Sequence, residues 1–98
     1  MKYSLKDKLE FGANPKLEIT DDVTVTVKAD AVTILKLMDA VNKKGEMEGA
    51  LEAGNLLFSA KDRKAIDALG LSMQDYITVI STAMQLAVGE NPDEPSGE

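Results

Sequence analysis

Two adjacent acidic residues are the first positions in this 98-residue chain that could do chemistry. Asp21 and Asp22 could bind a metal ion or act as an acid–base pair. Neighbouring side chains in a strand point to opposite faces, however, and hairpin turns often contain Asp. The D-x-D-x-D-G spacing of a calcium-binding loop is absent from the sequence. Asp21 and Asp22 are therefore predicted to form a turn, not a metal or catalytic site.

Two other clusters are also better explained without a ligand. Gly45, Gly49 and Gly54 stand among three glutamates. A phosphate-binding loop would need Lys and Ser or Thr after its glycines, and a membrane dimer face would exclude the glutamates. Residues 45–54 are therefore predicted to form a flexible connector, with a weak helix as the alternative. The basic residues within residues 61–64 are interrupted by an aspartate, which is typical of a solvated helix face.

The residue types that are missing exclude most catalytic chemistry. The chain has no Cys and no His, so it cannot contain a thiolate, an imidazole base or the usual zinc ligands. A domain of this length also has little room for a large catalytic cleft. We predict a protein that is not an enzyme and has no metal, cofactor or small-molecule substrate.

Charge and hydropathy restrict the partners further. The net charge is −6, with 17 acidic and 11 basic residues, and only 4% of the residues are aromatic. An acidic chain without a basic, aromatic stripe would repel nucleic acid. The longest uncharged stretch, residues 76–89, is too short and too polar to span a membrane. Because the first residues also lack the apolar run of a signal peptide, a cytoplasmic protein is expected.

Alternating residue types predict a β-hairpin near the start of the chain. Residues 17–20 and 23–27 each alternate with a period of two, and an Asp-Asp pair separates them. A lone hairpin is only marginally stable, so this one must pack on helices. The side of the second strand that faces the core is predicted to contain Val23, Val25 and Val27.

Three capped helices are predicted after the hairpin. Asp30, Ser59 and Ser72 are residue types that cap helix N-termini, and each precedes a segment with helical apolar periodicity. The fold class is therefore α+β, an N-terminal β-hairpin packed on three to four short α-helices. The stripes expected to face the core are Ile34, Leu35, Leu37, Met38 and Val41 in the first helix, Ala65, Ile66 and Leu69 in the second, and Met73, Tyr76, Ile77, Ile80, Met84 and Val88 in the last.

The ends of the chain are predicted to lie outside this domain. Residues 1–16 lack a clean period and are expected to form an extended arm, while residues 17–89 form the single globular domain. Residues 90–98 contain four acids, two prolines and no basic residue, which is typical of a disordered tail. Without this tail the chain has 13 acidic and 11 basic residues, so much of its acidity belongs to the tail.

The last predicted helix lacks charged residues on the face that would be exposed to solvent. Exposed helix faces normally carry charge, yet residues 76–89 contain none. Such a face suits burial against a partner protein or a second copy of the chain. Enclosure of the helix within its own fold is the alternative, and the pattern does not separate the two. The candidate protein-binding residues are Thr78, Val79, Ser81, Thr82, Gln85 and Leu86.

The second half of the chain resembles a known family. The segment LFSAKDRKAIDALGLSMQDY at residues 57–76, followed by Val79-Ile80 and Ala87-Val88-Gly89, is similar to the C-terminal helices of phage tail assembly chaperones. The shared features are a capped helix, a leucine-serine break, an acid–aromatic pair and a final helix that ends in Gly. The resemblance covers residues 57–89, about a third of the chain.

The resemblance implies a chaperone of a phage or prophage in the bacterial cytoplasm. It would bind the tape-measure protein, keep it soluble and help to recruit tail-tube subunits. Some members also have a longer form made by ribosomal frameshifting. Members are mostly helical, so the strand pattern at residues 23–27 departs from the family.

The residues leave one alternative open, a small acidic regulatory or inhibitory module that binds a basic host or phage partner through its tail and Glu46, Glu48 and Glu52.

Overall fold

A computed structural model describes residues 1–9 and 14–90, apart from the side chains of residues 46 and 47. Two strands precede the helices, so the predicted α+β fold class, an N-terminal hairpin followed by helices, is confirmed. Residues 91–98 of the predicted tail and residues 10–13 of the predicted arm lie outside the described residues. The elements are β1 (Lys16–Thr20), β2 (Val23–Thr26), α1 (Ala31–Leu57), α2 (Ala60–Ala68) and α3 (Met73–Ala87).

The two strands form the predicted antiparallel hairpin. Leu17 pairs with Val25, and Lys16 pairs with Thr26. The turn between the strands is the predicted Asp-Asp pair, and the Thr20 hydroxyl accepts backbone N–H groups from the turn and from the start of β2. As predicted, alternate residues of β2 face the core. Val25 and Val27 are buried, and Val23 packs against them.

The three predicted N-caps are confirmed. Each cap side chain accepts the backbone N–H three residues further on: Asp30 from Thr33, Ser59 from Asp62 and Ser72 from Asp75. Each bond satisfies one of the N–H groups that a helix leaves free in its first turn. At Asp30 the Thr33 hydroxyl also donates to the carboxylate over 2.7 Å. These two hydrogen bonds lower the pKa of Asp30 below its ordinary value.

The predicted flexible connector is wrong, because α1 continues through it. Gly45 has φ 77° and ψ −172°, and this break divides α1 into two helical segments, residues 31–44 and 46–57. Gly45 therefore ends the first segment, as predicted, but residues 46–57 then form a helix of their own. The break turns the second segment back, so that Gly49 approaches the backbone of Val41. An ion pair between Lys44 and Glu52 spans the break over 3.6 Å.

The core is aliphatic and lies where the hairpin meets α1, α2 and α3. Phe58 is its one buried aromatic residue among those described, and no described polar side chain is buried. Small residues bring α1 and α3 close together, because Ala53, Ala83 and Ala87 are all buried between them. The cluster consists of Val25, Val27, Leu37, Ala53, Leu57, Phe58, Ile66, Ile80, Ala83 and Ala87.

Two predicted stripes are only partly buried. In α1, Leu37 is buried and Ile34 is half-buried, but Leu35 and Met38 remain 65% and 57% exposed. The prediction that Leu35, Met38 and Val41 face the core is wrong, because α1 has apolar residues around more of its circumference than its neighbours cover. At the ends of the α3 stripe, Met73 and Val88 are also exposed.

Polar contacts tie the hairpin and α1 to α2. Asp62 of α2 accepts the Thr26 backbone N–H over 3.0 Å, at the edge of β2 that faces away from β1. The Arg63 guanidinium donates to the Asn55 carbonyl over 2.9 Å. A cation at this position satisfies a carbonyl that the end of α1 would otherwise leave free. The basic cluster at residues 61–64 was predicted to be a solvated helix face. Arg63 differs from that prediction, because it donates a hydrogen bond to a carbonyl at the C-terminal end of α1.

Substitution of two glycines will measure how closely the helices approach. A Cβ on Gly54 would lie 2.5 Å from the Tyr76 hydroxyl, whereas one on Gly49 would lie 3.6 Å from the nearest atom. We expect Gly54→Ala to be less stable than Gly49→Ala by about 1–2 kcal/mol, because overpacking offsets the gain in helix propensity. Urea unfolding measures both. Tyr76→Phe should restore stability to Gly54→Ala, and equal stabilisation by the two alanines would contradict the close approach.

Candidate functional site

A shallow apolar groove runs between α1 and α3. Its central cavity, of about 370 Å³, is lined mainly by Val41, Gly49, Ile77, Ser81 and Met84. A second cavity shares two of these residues and extends the groove toward the end of α3, and a third extends it toward the start of α3. We call the following set the α1–α3 groove: Met38, Val41, Leu51, Met73, Ile77, Ser81, Met84 and Val88.

Small residues and the break in α1 create this groove. Val41 of the first segment of α1 lines the same cavity as Met84, and Gly54 of the second segment lies near Tyr76, so both segments face α3. Glycines at positions 45 and 49 contribute no side chain, which leaves the middle of the groove empty. The sequence pattern predicts that these glycines belong to a connector. Only their placement against α3 shows that they leave space in the groove.

The lining is mainly apolar. Ser81 is the one hydroxyl-bearing residue of the set named above and none of that set is charged, but the cavity toward the start of α3 is also lined by the exposed Glu48 and by Tyr76. Two methionines at its margins, Met38 and Met73, are 57% and 58% exposed. They were predicted to fill the core, which is wrong for both, whereas Met84 is half-buried. Exposed, flexible methionines adapt to apolar surfaces of varied shape, so the arrangement fits contact with another apolar chain.

The structure divides the predicted binding face of α3. Thr78 and Ser81 are exposed, Thr82 and Gln85 are half-buried, and Val79 and Leu86 pack against the core. Of these six residues, Ser81 lines the groove. Thr78 lies outside it, and its hydroxyl donates to the carbonyl of Gln74 over 3.0 Å. As a contact surface for a partner, the predicted face of α3 stays a prediction.

The sequence contains one indication of exposed apolar surface, which is the number of faces of α1 that carry apolar residues. The apolar residues of α1 fall on more than one face of the helix, as Leu35 and Val32 lie away from Leu37. A helix that is apolar on several sides is usually buried on several sides. Here the remaining sides are exposed, with Val32 60% and Leu35 65% accessible to solvent. α1 therefore exposes more apolar surface than the rest of the domain covers.

Within the described part of the chain, the acidic side chains do not form a metal-binding cluster. Among residues 1–9 and 14–90, no three His, Cys, Asp or Glu residues lie close enough to hold a metal ion. Tyr76 is the one described phenol that packs on the core. Burial raises the pKa of Tyr76, the Asp67 carboxylate raises it further and the Arg63 guanidinium lowers it in part. This environment is explained by packing against Gly54.

The acidic cluster of the alternative interpretation is described only in part. Glu48 is exposed, while Glu52 is half-buried and paired with Lys44. Because Glu48 and Glu52 are four residues apart in a helix, they lie on the same helix face. The side chain of Glu46 and residues 91–98 of the tail lie outside the described residues.

Comparison with known proteins adds no assignment. No protein-family model matches the sequence, and neither the curated proteins nor the solved structures gave a match. A membrane-crossing helix is not found within the described part of the chain, since none combines enough length with enough hydropathy. The resemblance to tail assembly chaperones therefore stays a prediction.

The raised pKa of Tyr76 makes a prediction about alkaline stability. Its folded pKa lies above the unfolded value of about 10, so the folded state holds the proton more tightly. Stability linked to Tyr76 is then fully present below pH 10 and is lost as the pH rises through the folded pKa. Between pH 9 and pH 11, the free energy of unfolding of the wild type should therefore fall relative to that of Tyr76→Phe. A constant difference would contradict the shift.

Proposed function

We propose that this chain is a non-enzymatic binding protein that shields apolar segments of a partner, and specifically a phage or prophage tail assembly chaperone. The α1–α3 groove carries the proposal, because it is an open and mainly apolar surface on a small domain. The resemblance of residues 57–89 supplies the candidate partner, the tape-measure protein, and the expected site of action, the cytoplasm of a bacterial host. Recruitment of tail-tube subunits belongs to the same proposal.

The groove favours an amphipathic helix as the bound segment. The two segments of α1 and α3 leave a channel between them, and an apolar helix face can lie in such a channel. The partner helix would bring its apolar residues against Val41, Ile77 and Met84. The tape-measure protein is expected to be long and helical, so it would offer many such faces. Binding would then depend on apolar burial, with little contribution from charge.

The acidic-regulator alternative predicts a different dependence on salt. Attraction between an acidic chain and a basic partner weakens as ionic strength rises, because exposed charges are screened. Burial of apolar groups in the α1–α3 groove is insensitive to salt over the same range. Of the two described acids of this cluster, Glu52 is already paired with Lys44 within the chain, which leaves Glu48 for a basic partner.

A co-expression experiment tests the proposed function. Tail assembly chaperones are encoded directly before the tape-measure gene, so the chain is expressed with the protein encoded immediately downstream of it, and capture is measured at low and high salt. We expect capture at both salt concentrations, and we expect the downstream protein to be soluble only when the two are co-expressed. Absence of binding, with the downstream protein soluble alone, would contradict the proposal. Capture at low salt only would support the acidic-regulator alternative.

A matched pair of substitutions tests the α1–α3 groove itself. Ser81 and Thr78 are exposed small polar residues on the same helix, and only Ser81 lines the groove. We expect Ser81→Lys to weaken capture of the downstream protein at least tenfold, because it places a charge in an apolar channel. Thr78→Lys should bind like the wild type. Equal loss in both would instead favour the wider face predicted from the sequence, and thermal unfolding controls for stability.

A further inference from the structure

The outer edge of β1 offers a second interaction surface, separate from the α1–α3 groove. β1 pairs with β2 on one side only, and the sheet has two strands. The outer edge of β2 is covered by α2, where Asp62 accepts the Thr26 N–H. Within residues 1–9 and 14–90, no further strand pairs with the opposite edge, which belongs to β1. An unpaired edge exposes backbone N–H and C=O groups that can pair with another strand.

The pairing with β2 determines which backbone groups of β1 point outward. The Val27 N–H donates to the Pro15 carbonyl over 2.8 Å, so this pair is hydrogen-bonded. Hydrogen-bonded and non-hydrogen-bonded pairs alternate along an antiparallel ladder. Leu17 is therefore bonded to β2, whereas Lys16 and Glu18 direct their backbone groups away from it. These two residues are the ones that a neighbouring strand would engage.

The side chains of β1 are self-complementary about Leu17. Lys16 and Glu18 flank Leu17 and are both exposed, and among the described residues neither forms an ion pair. If two copies of β1 run antiparallel with their Leu17 residues opposite each other, each Lys16 faces the Glu18 of the other copy. Opposite charges directly across two strands stabilise their pairing, whereas like charges destabilise it.

We propose that two copies of this chain pair edge to edge through β1, about a two-fold axis at Leu17, to form one four-stranded sheet. In this register Lys16 and Glu18 of the two copies form the hydrogen-bonded pairs, which uses the backbone groups that point outward. The neighbouring register, centred on Glu18, would place two glutamates opposite each other. Charge therefore selects the register centred on Leu17.

Burial beneath the sheet agrees with this arrangement. Leu17 and Ile19 point to the core side of the hairpin, yet both are only half-buried. In the four-stranded sheet the two Leu17 side chains would lie together on that side and cover part of this apolar surface. The interface is short, and interfaces below about 1,200 Å² are typical of weak or transient association. The dimer is therefore expected to dissociate on dilution.

Charge reversal with rescue tests the proposal. Sedimentation equilibrium on the full chain, up to about 1 mM, should show a monomer–dimer equilibrium. Lys16→Glu alone and Glu18→Lys alone should each weaken association about tenfold, because each change makes both cross-strand pairs repulsive. The double variant Lys16→Glu/Glu18→Lys should recover it. A chain that stays monomeric, or a dimer unaffected by either single reversal, would overturn the proposal.

A cysteine pair tests the register separately, because the natural chain contains no cysteine. In the proposed register the two copies of Leu17→Cys lie directly opposite, at a separation that permits a disulfide. We expect Leu17→Cys to form a covalent dimer on mild oxidation and Glu18→Cys to do so far less. Preferential cross-linking through position 18 would overturn the register centred on Leu17.

Discussion

An unbroken α-helix from Ala31 to Leu57 would be about 40 Å long, nearly twice the length of α3. It could not place both of its halves against α3. The positive φ of Gly45 breaks the helix, and the second segment folds back until Gly49 approaches Val41. A residue with a side chain would adopt this conformation at a cost. The positions of the core, of the groove and of the exposed face of α1 all depend on this break.

The break also explains why so small a domain exposes so much apolar surface. In residues 31–44, Leu37 and Ala40 are buried and Ile34 packs against the core, but Val32, Leu35, Met38 and Val41 remain exposed. Residues 46–57 pack more closely, through Ala53 and Gly54, because small residues allow the helix backbones to approach. The two segments therefore differ in burial although they belong to one helix. An open channel remains where the first segment diverges from α3.

The two interaction surfaces differ in physical character and position. The α1–α3 groove is mainly apolar, which suits a partner that must be kept from aggregating. The outer edge of β1 carries Lys16 and Glu18 and directs backbone groups to solvent. A partner in the groove and a second copy at β1 would engage different elements, so the two kinds of association need not exclude each other. A chaperone with both could present several grooves along one extended client.

Local chemistry in the sequence was enough to predict the hairpin and the starts of α1, α2 and α3, but not the helical segment at residues 46–57. Asp30, Ser59 and Ser72 cap the three helices, the Asp-Asp pair forms the turn, and alternate valines of β2 face the core, because each of these depends on neighbours within a few residues. The candidate site could not be predicted in the same way. Met38 and Met73 satisfied the helical period of a core stripe, and nothing in the period shows that the packing partner ends before it reaches them.

The sequence by itself therefore determined the fold class, the caps, the turn and the absence of histidine and cysteine chemistry. Only the tertiary structure decided which apolar residues are covered. It also placed Arg63 where it donates to a carbonyl at the end of α1, and it placed the glycines at positions 45 and 49 where they leave a groove. The reason is physical. Caps and turns are satisfied by bonds to nearby backbone, whereas burial depends on where a distant helix lies, and here that position follows from one backbone angle at Gly45.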